Sequence, residues 1–379
     1  MKTRISLLIS NLMGGGAERV CCLLANGLLR RGHEVSIVTL DAAHVAAYPL
    51  DGAVRVVHLG ACRPGRSLSC RAAQNLRRVG RIRGALQRLA SDAVIGFMTE
   101  SNVLATLAGR VFCRLPCRLM LNERVDPHSH NRAALACVAR RLTFPFADAV
   151  VPCSRAMAPW YERWLPPRKV VPIQNPVVLD DRPPDAQADE QARRMAGENW
   201  ILAMGRLHEQ KGYDLLLEAF ARVPARQPEN WRLGILGEGD QRPELERRIE
   251  ALGLGGRAEL LGRFANPYPV LRAGEIFALS SRYEGFPNAL TEAMACGLPA
   301  VAFDCPTGPA EIIRPEEDGL LVAPGDVDGF AKALARLMGD EQLRGRLAAR
   351  APEVLTRFRL DRFLDAWEEL LGRLTRGRT

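Results

Sequence analysis

Two carboxylates eight residues apart, Glu284 and Glu292, bracket the turn Gly285, Phe286, Pro287 and Asn288 in the run SSRYEGFPNALTEAMACGLP. Gly285-Phe286-Pro287 lets the backbone turn, and Asn288 is a residue type that caps helices, so Glu292 is expected one turn into a helix. There its carboxylate can reach a ribose while the helix N-terminus points at phosphate. Upstream, Arg206 and Lys211 flank a turn in MGRLHEQKGYD. A strand delivers Arg206 to the carboxyl edge of a sheet and Lys211-Gly212 precedes the next helix, so two cations can converge on one diphosphate. Cleavage next to a diphosphate leaves negative charge on it, which these side chains and loop amides can stabilise without a metal. Asp326-Val327-Asp328 has the letters of a metal motif, but Pro324-Gly325 precedes it and a helical pattern follows, so helix capping is expected. Each feature has a plainer alternative: two glutamates at this spacing can be coincidence, and lysines before helices are usually solvated.

A second glycine-rich turn, Met13-Gly14-Gly15-Gly16-Ala17-Glu18-Arg19, follows the first apolar run and opens a helical pattern. Glycines there let backbone amides approach a phosphate. A dinucleotide fingerprint competes, because Gly14-x-Gly16 is present and Asp41 ends the second strand pattern. Its third glycine is replaced by Arg19, and Asp41 lies slightly too far along. A tight turn that binds nothing is the remaining alternative.

These residues must be positioned by sheets. Short apolar runs alternate with helical patterns through RISLLISN, EVSIVTL, AVRVVHL, DAVIGF, CRLMLNE, ADAVVPC and KVVPI. Such alternation predicts an α/β fold with a parallel, doubly wound sheet. A polar segment, Leu179 to Asn199, reads as a linker. A second series follows in WILAMG, WRLGILG, AELLG, EIFALS, PAVAF and GLLVA, with helices between them. At 379 residues the chain exceeds the size of one core, and two Rossmann-like domains facing across a cleft are expected. The expected division is 1–178 and 179–356, with a last helix near 357–379 whose Leu360, Phe363, Leu364, Trp367, Leu370, Leu371 and Leu374 form one stripe.

Composition fits a folded enzyme, 47% hydrophobic and 25% charged. The apolar run after Lys2 and Arg4 is too short for a leader peptide, and no stretch approaches the ~18 apolar residues of a membrane span. Ten cysteines read as reduced core thiols, and the Cys113/Cys117 pair lacks the second pair or histidines of a zinc site. Charge is uneven. Met1 to Val178 holds 25 basic against 10 acidic residues, a balance of +15, and the remainder 27 against 33, or −6. Arg63 to Arg88 contains Arg63, Arg66, Arg71, Arg77, Arg78, Arg81, Arg83 and Arg88 and no acid. Its apolar Leu68, Ala72, Leu76, Val79, Leu86 and Leu89 recur at helical spacing, as in a helix lying on an anionic membrane or in a solvated helix packed by its stripe. Nucleic acid is not the expected partner, since no aromatic-interleaved basic strand accompanies the charge.

Taken in order and spacing, GGGAERV, GRLHEQKG and EGFPNALTE resemble the family 4 glycosyltransferases of GT-B fold, over nearly the whole chain. NERVDP and DCPTGPAEII resemble the branch that extends lipid-linked or cell-surface oligosaccharides. The resemblance implies retaining transfer of a hexose or N-acetylhexosamine from a nucleotide sugar, UDP favoured over GDP. The implied acceptor is lipid-linked or belongs to O-antigen, capsule, exopolysaccharide or lipopolysaccharide. It implies no cofactor and a cytoplasmic enzyme at the inner face of the membrane. By it, Arg206 and Lys211 hold the donor diphosphate, Glu292 the ribose, Glu284 the sugar, and Gly15 and Gly16 the phosphate from the other domain. Gly262 and Arg263 lie beside the base, and the last helix crosses back to the first domain. Where many members carry a histidine near the donor sugar, this chain reads Asn122-Glu123-Arg124. That makes Glu123 and Arg124 candidates for sugar or acceptor contacts, with structural ion pairing as the alternative. A sugar-nucleotide epimerase or a phosphorylase of the same fold is the rival enzyme class.

Overall fold

The computed structural model describes residues 2–60, 68–111, 114–127, 134–179, 182–223 and 231–375, without the side chains of 68–73 and 134–135. The chain divides into two compact units, Met1–Pro176 with Leu360–Thr379, and Val177–Arg359.

The first unit is built on six parallel strands, β1 (Arg4–Ile9), β2 (Glu34–Thr39), β3 (Arg55–His58), β4 (Ala93–Phe97), β5 (Arg118–Glu123) and β6 (Ala149–Pro152), in the order β3-β2-β1-β4-β5-β6. Ile5 to Ile9 and Ala93 to Phe97 are buried at every position, as expected of central parallel strands covered on both faces. The second unit repeats the plan with β7 (Asn199–Met204), β8 (Trp231–Leu236), β9 (Ala258–Gly262), β10 (Ile276–Leu279), β11 (Ala300–Phe303) and β12 (Gly319–Val322), ordered β12-β11-β10-β7-β8-β9 and again parallel. In each unit the first strand lies beside the fourth, where the winding reverses. The carboxyl ends of strands at such a switch point are where open α/β sheets bind ligands. In the second unit this sets the loop after β7 beside the loop after β10.

The last helix, Leu360–Thr375, belongs to the first unit. Phe363, Leu364, Trp367, Leu370 and Leu371 are buried in the same core as Val20, Leu24 and Leu28 of the helix Gly16–Arg30. Arg31 pairs with Asp365 at 2.7 Å and also with Glu368, which lies 3.1 Å from the His33 ring. Partly exposed pairs of this kind are each worth about 0–1 kcal/mol, so the buried Trp367 and leucines dominate the docking.

Two expectations are corrected, and a third segment had two readings open. KVVPI is not a full strand: Val170 bridges Val150, and the amides of Val171 and Ile173 donate to the carbonyls of Val150 and Pro152, but Pro152, lacking an N–H, returns no bond. The segment read as linker contains a helix, Ala186–Arg194, capped by Asp185, whose Oδ1 accepts from the amides of Gln187 and Ala188 and whose Oδ2 accepts from Ala265 and Asn266. Asp180 and Asp181 of that segment lie outside the described residues. In the arginine-rich segment the helix Leu68–Arg88 buries Val79, Ile82, Ala85 and Leu86 and leaves Leu76 exposed. Of the stripe residues with described side chains, Val79 and Leu86 are core, Leu89 is half-buried and Leu76 is exposed. Arg63 and Arg66 lie outside the described residues, as do the side chains of Leu68, Arg71 and Ala72.

Cys21, Cys22, Cys117, Cys153 and Cys305 are buried free thiols; Cys113 is outside the described residues. Among the described residues no helix is long and apolar enough to cross a membrane.

Candidate active site

The switch point of the second unit gathers side chains from both neighbouring loops. β7 ends at Met204, placing Arg206 at the carboxyl edge, exposed and with no carboxylate partner among the described residues. The chain then makes a short turn, Glu209–Lys211, and enters the helix Tyr213–Ala221 through Gly212 at φ 62°. A Cβ at Gly212 would overlap the carbonyl oxygen of Ser280, so the left-handed conformation and the close approach to the β10 loop both call for glycine there. Lys211 Nζ reaches across to Glu284 Oε1 at 2.6 Å, and Ser281 Oγ donates to the same oxygen at 2.7 Å. Backbone contacts fix the two loops together. Ser280 Oγ donates to the Lys211 carbonyl at 2.9 Å, Gln210 Nε2 donates to the Tyr283 carbonyl at 3.0 Å, and the Thr307 hydroxyl donates to the Glu284 carbonyl.

Arg282 completes the frame with a bidentate pair to Asp214 at 2.8 and 2.6 Å. Burial works to raise the Asp214 carboxyl, but the guanidinium outweighs it and holds the carboxyl below its usual range. Beneath the loops the hydroxyl of Tyr213 is buried. Its pKa is pushed well up by desolvation first and by the negative charge of Glu284 second, which keeps it neutral.

Glu292 projects from the helix Asn288–Ala295, buried at its second turn. The expected capping role of Asn288 is not found. Pro287 occupies the cap, its carbonyl accepts from Leu290 and Thr291, and Asn288 is the first helical residue. Hydrogen bonding starts one residue earlier than the side-chain type suggested. Phe286 is buried edge-on against Phe358, with centroids 5.3 Å apart, anchoring the Gly285–Pro287 turn. Arg182 Nη2 stands 3.5 Å from Glu292 Oε2, while its guanidinium lies over the Tyr268 ring and donates to the Ala265 carbonyl at 3.1 Å. Gly262 ends β9 at φ 80°, its carbonyl accepting from Gly237, and Arg263 is exposed beside it. Asp326 caps the helix Val327–Gly339 by accepting from Gly329 at 2.8 Å, and Asp328 pairs with Arg222 at 2.7 Å.

In the first unit Gly15 is the cap of the helix Gly16–Arg30 and, lacking a side chain, leaves the first turn uncapped by one. Glu123, a candidate for sugar or acceptor contacts or for structural ion pairing, is a buried hub. It is 0% exposed, and its oxygens accept from Asn102 Nδ2 at 2.7 Å, Thr99 Oγ1 at 3.1 Å, Arg140 Nε at 3.1 Å and Tyr161 OH at 3.0 Å. A carboxylate with four donors and no exposure is occupied in holding three helices to β5, as the ion-pairing alternative for Glu123 expects. Arg124 points to the opposite face, as alternation along the strand requires.

Lys211 and Glu284 are thus brought into contact, with Arg206 on the strand that leads to them and Glu292 on the helix that follows. Ser281, Gln210, Arg282, Thr307 and Arg182 were not foreseen from sequence. Each is an ordinary polar residue in a loop, and only the sheet order makes them neighbours.

Comparisons with known proteins agree with this layout. Residues 15–176 match the description Glycosyl transferase 4-like domain, and residues 185–354 match Glycosyl transferases group 1. The chain is 28% identical over 369 residues, 97% of its length and 98% of the relative's, to GalNAc-alpha-(1->4)-GalNAc-alpha-(1->3)-diNAcBac-PP-undecaprenol alpha-1,4-N-acetyl-D-galactosaminyltransferase of Campylobacter jejuni subsp. jejuni serotype O:2. Among solved structures, sucrose-phosphate synthase from Thermosynechococcus elongatus is similar with TM-score 0.84 at 20% identity, over 98% of this chain and 99% of that one. Anabaena HepE in complex with UDP and glucose is similar with TM-score 0.78 at 20% identity and the same coverage. At that identity the two structures speak for the fold, while the sequence matches span both units. The chain belongs to the family 4-like glycosyltransferases of GT-B fold and is a glycosyltransferase.

Proposed function

We propose that this glycosyltransferase moves a hexose or N-acetylhexosamine from a UDP-sugar, with retention of anomeric configuration, to a lipid-diphosphate-linked saccharide in the assembly of a bacterial surface polysaccharide. The observation that carries the reading is the Lys211 to Glu284 contact at the switch point of the second unit. It sets a cation for the leaving diphosphate beside a carboxylate for the sugar that leaves it. In this reading Arg206 and Lys211 hold the diphosphate and offset its growing charge. Glu284, steadied by Ser281, accepts from sugar hydroxyls, and Gly285, Phe286, Pro287 and Asn288 shape the turn around them. Glu292 accepts from the ribose, Gly262 and Arg263 flank the base, and Gly15 and Gly16 approach a phosphate. The lipid-linked acceptor follows the Campylobacter relative, whose name carries a diphospho-undecaprenol substrate. UDP is preferred to GDP in keeping with the ligand of the Anabaena fold neighbour.

The same reading sets the enzyme at the cytoplasmic face of the membrane, held by the basic first unit. Arg77 and Arg88 are exposed on the helix Leu68–Arg88, whereas Arg78 pairs with Glu100 and Arg81 donates to the carbonyls of Leu59 and Gly60. The apolar contact comes from elsewhere. Val138, Leu142 and Phe146 recur every four residues and are 51%, 66% and 54% exposed, with Arg141 exposed beside them. Apolar side chains flanked by arginine suit an anionic interface, each basic residue adding about 1 kcal/mol. The test is nucleotide release from a panel of UDP-sugars and GDP-sugars, with and without a diphosphate-linked saccharide acceptor. Acceptor-dependent release of UDP is expected, and conversion of the donor without acceptor would point to an epimerase instead.

A further inference from the structure

Arg140 and Arg124, both buried in the first unit, are treated very differently by their surroundings. Arg140 is compensated by Glu123 and by the Thr99 hydroxyl at 2.7 Å. Arg124 is 9% exposed, yet its one hydrogen bond is from Nη1 to the neutral Asn122 Oδ1 at 3.0 Å. Its Nε is buried without a partner, and no carboxylate lies within ion-pair distance among the described residues. The guanidinium rests 5.9 Å from the Phe97 ring centroid, a weak return for removing a cation from water. Desolvation draws its pKa down, and the groups opposing that shift are the thiols of Cys153 and Cys21 and the carboxylate of Glu18.

Glu18 and Cys21 lie in the first two turns of the helix Gly16–Arg30, so Arg124 shares its surroundings with the glycine-rich start of that helix. The Glu18 carboxylate folds back over Gly15, where a Cβ would overlap it. Close by, Met98, the residue after β4, holds φ 71°. Strained backbone of this kind costs of order 1–3 kcal/mol and collects at functional edges.

We infer that Arg124 is a phosphate-binding residue, and that the Glu18 carboxylate stands near the place an incoming phosphate takes when the site is empty. A phosphate oxyanion supplies the charge that the buried guanidinium lacks and adds hydrogen bonds to its unfilled donors. The glycosyltransferase reading offers two sources of the same chemistry, the donor's diphosphate and the acceptor's, and the inference rests on that reading only for these two names.

The test is ligand binding, so it does not depend on sugar transfer. Calorimetric titration of UDP and of geranyl diphosphate into the wild type, Arg124→Gln and Arg124→Lys should show at least one ligand bound about tenfold or more weakly by the Gln variant, with partial recovery in Lys. Loss for UDP identifies the donor's phosphate, and loss for geranyl diphosphate the acceptor's. The Gln variant removes an uncompensated buried charge, so its Tm should stay level or rise, whereas a structural arginine would lower it. Glu18→Gln should tighten the same ligand severalfold. Unchanged affinity for both ligands in Arg124→Gln, a fall in Tm alongside any loss, or an indifferent Glu18→Gln would each overturn the inference.

Discussion

Lys211 and Glu284, seventy-three residues apart in the chain, form a 2.6 Å ion pair at the meeting of the loops after β7 and β10. Both are largely shielded from solvent, and Ser281 donates to the same carboxylate oxygen. The two groups assigned to the donor's diphosphate and sugar are thus partnered with each other in the ligand-free chain. In the proposed reading, donor binding shares Lys211 between a phosphate and Glu284.

Lys211→Ala should therefore lower kcat by about 30-fold to 10³-fold, the ~2–4 kcal/mol of one charged contact to a developing leaving group. Far-UV circular dichroism should be unchanged. Equal turnover at saturating donor would remove Lys211 from the site. Lys211→Arg should recover part of the loss, because the charge is kept but its geometry is not.

Glu123→Ala should act on stability first. Removing one partner of a buried pair costs about 3–5 kcal/mol, because the buried Arg140 guanidinium loses the carboxylate that offsets its charge. A lowered Tm with UDP affinity unchanged in the protein that remains folded is the expected result. A loss of turnover at unchanged Tm would restore Glu123 to a catalytic role.

Transfer should survive chelation. In the proposed reading the positive charge opposite the diphosphate comes from Arg206 and Lys211, while Asp326 is engaged with the amide of Gly329 and Asp328 with Arg222. Activity measured in EDTA should match that in Mg²⁺. A metal-restored loss would show that another cation completes the site.

Membrane affinity should divide between charge and apolar contact. Arg77→Glu with Arg88→Glu should weaken binding to phosphatidylglycerol vesicles by more than tenfold at low salt, from about 1 kcal/mol for each basic residue lost. Leu142→Asp with Phe146→Asp should weaken it at high salt as well, since hydrophobic burial is not screened. Vesicle binding unaltered by both pairs would place the membrane contact elsewhere or nowhere on this unit.

The sheets were legible because parallel strands buried on both faces appear as unbroken apolar runs, and Ile5 to Ile9 or Ala300 to Phe303 need no context to be read. KVVPI misled for the same reason: its apolar letters match a strand and it runs beside β6, but Pro152 of β6 has no N–H to complete the ladder. The helix Ala186–Arg194 was missed because it is polar on most faces and depends on the two-sided capping by Asp185. In the site, Glu284, Glu292, Arg206 and Lys211 stood out through residue type and spacing. The partners Ser281, Arg182 and Thr307 did not, since they meet the motif residues only through tertiary folding. Glu123 shows the limit most clearly, because a catalytic carboxylate and a buried hub have the same letter, and only Asn102, Thr99, Arg140 and Tyr161 around it distinguish them.

The proposed reaction is acceptor-dependent, retaining transfer from a UDP-sugar through the Lys211 and Glu284 pair. The most direct measurement follows free UDP and the anomeric configuration of the product by NMR, with an α-linked UDP-sugar and a diphosphate-linked saccharide acceptor. UDP release only when acceptor is present, an α-linked product, and loss of both in Lys211→Ala are expected. An inverted product, or donor conversion that proceeds without any acceptor, would contradict it.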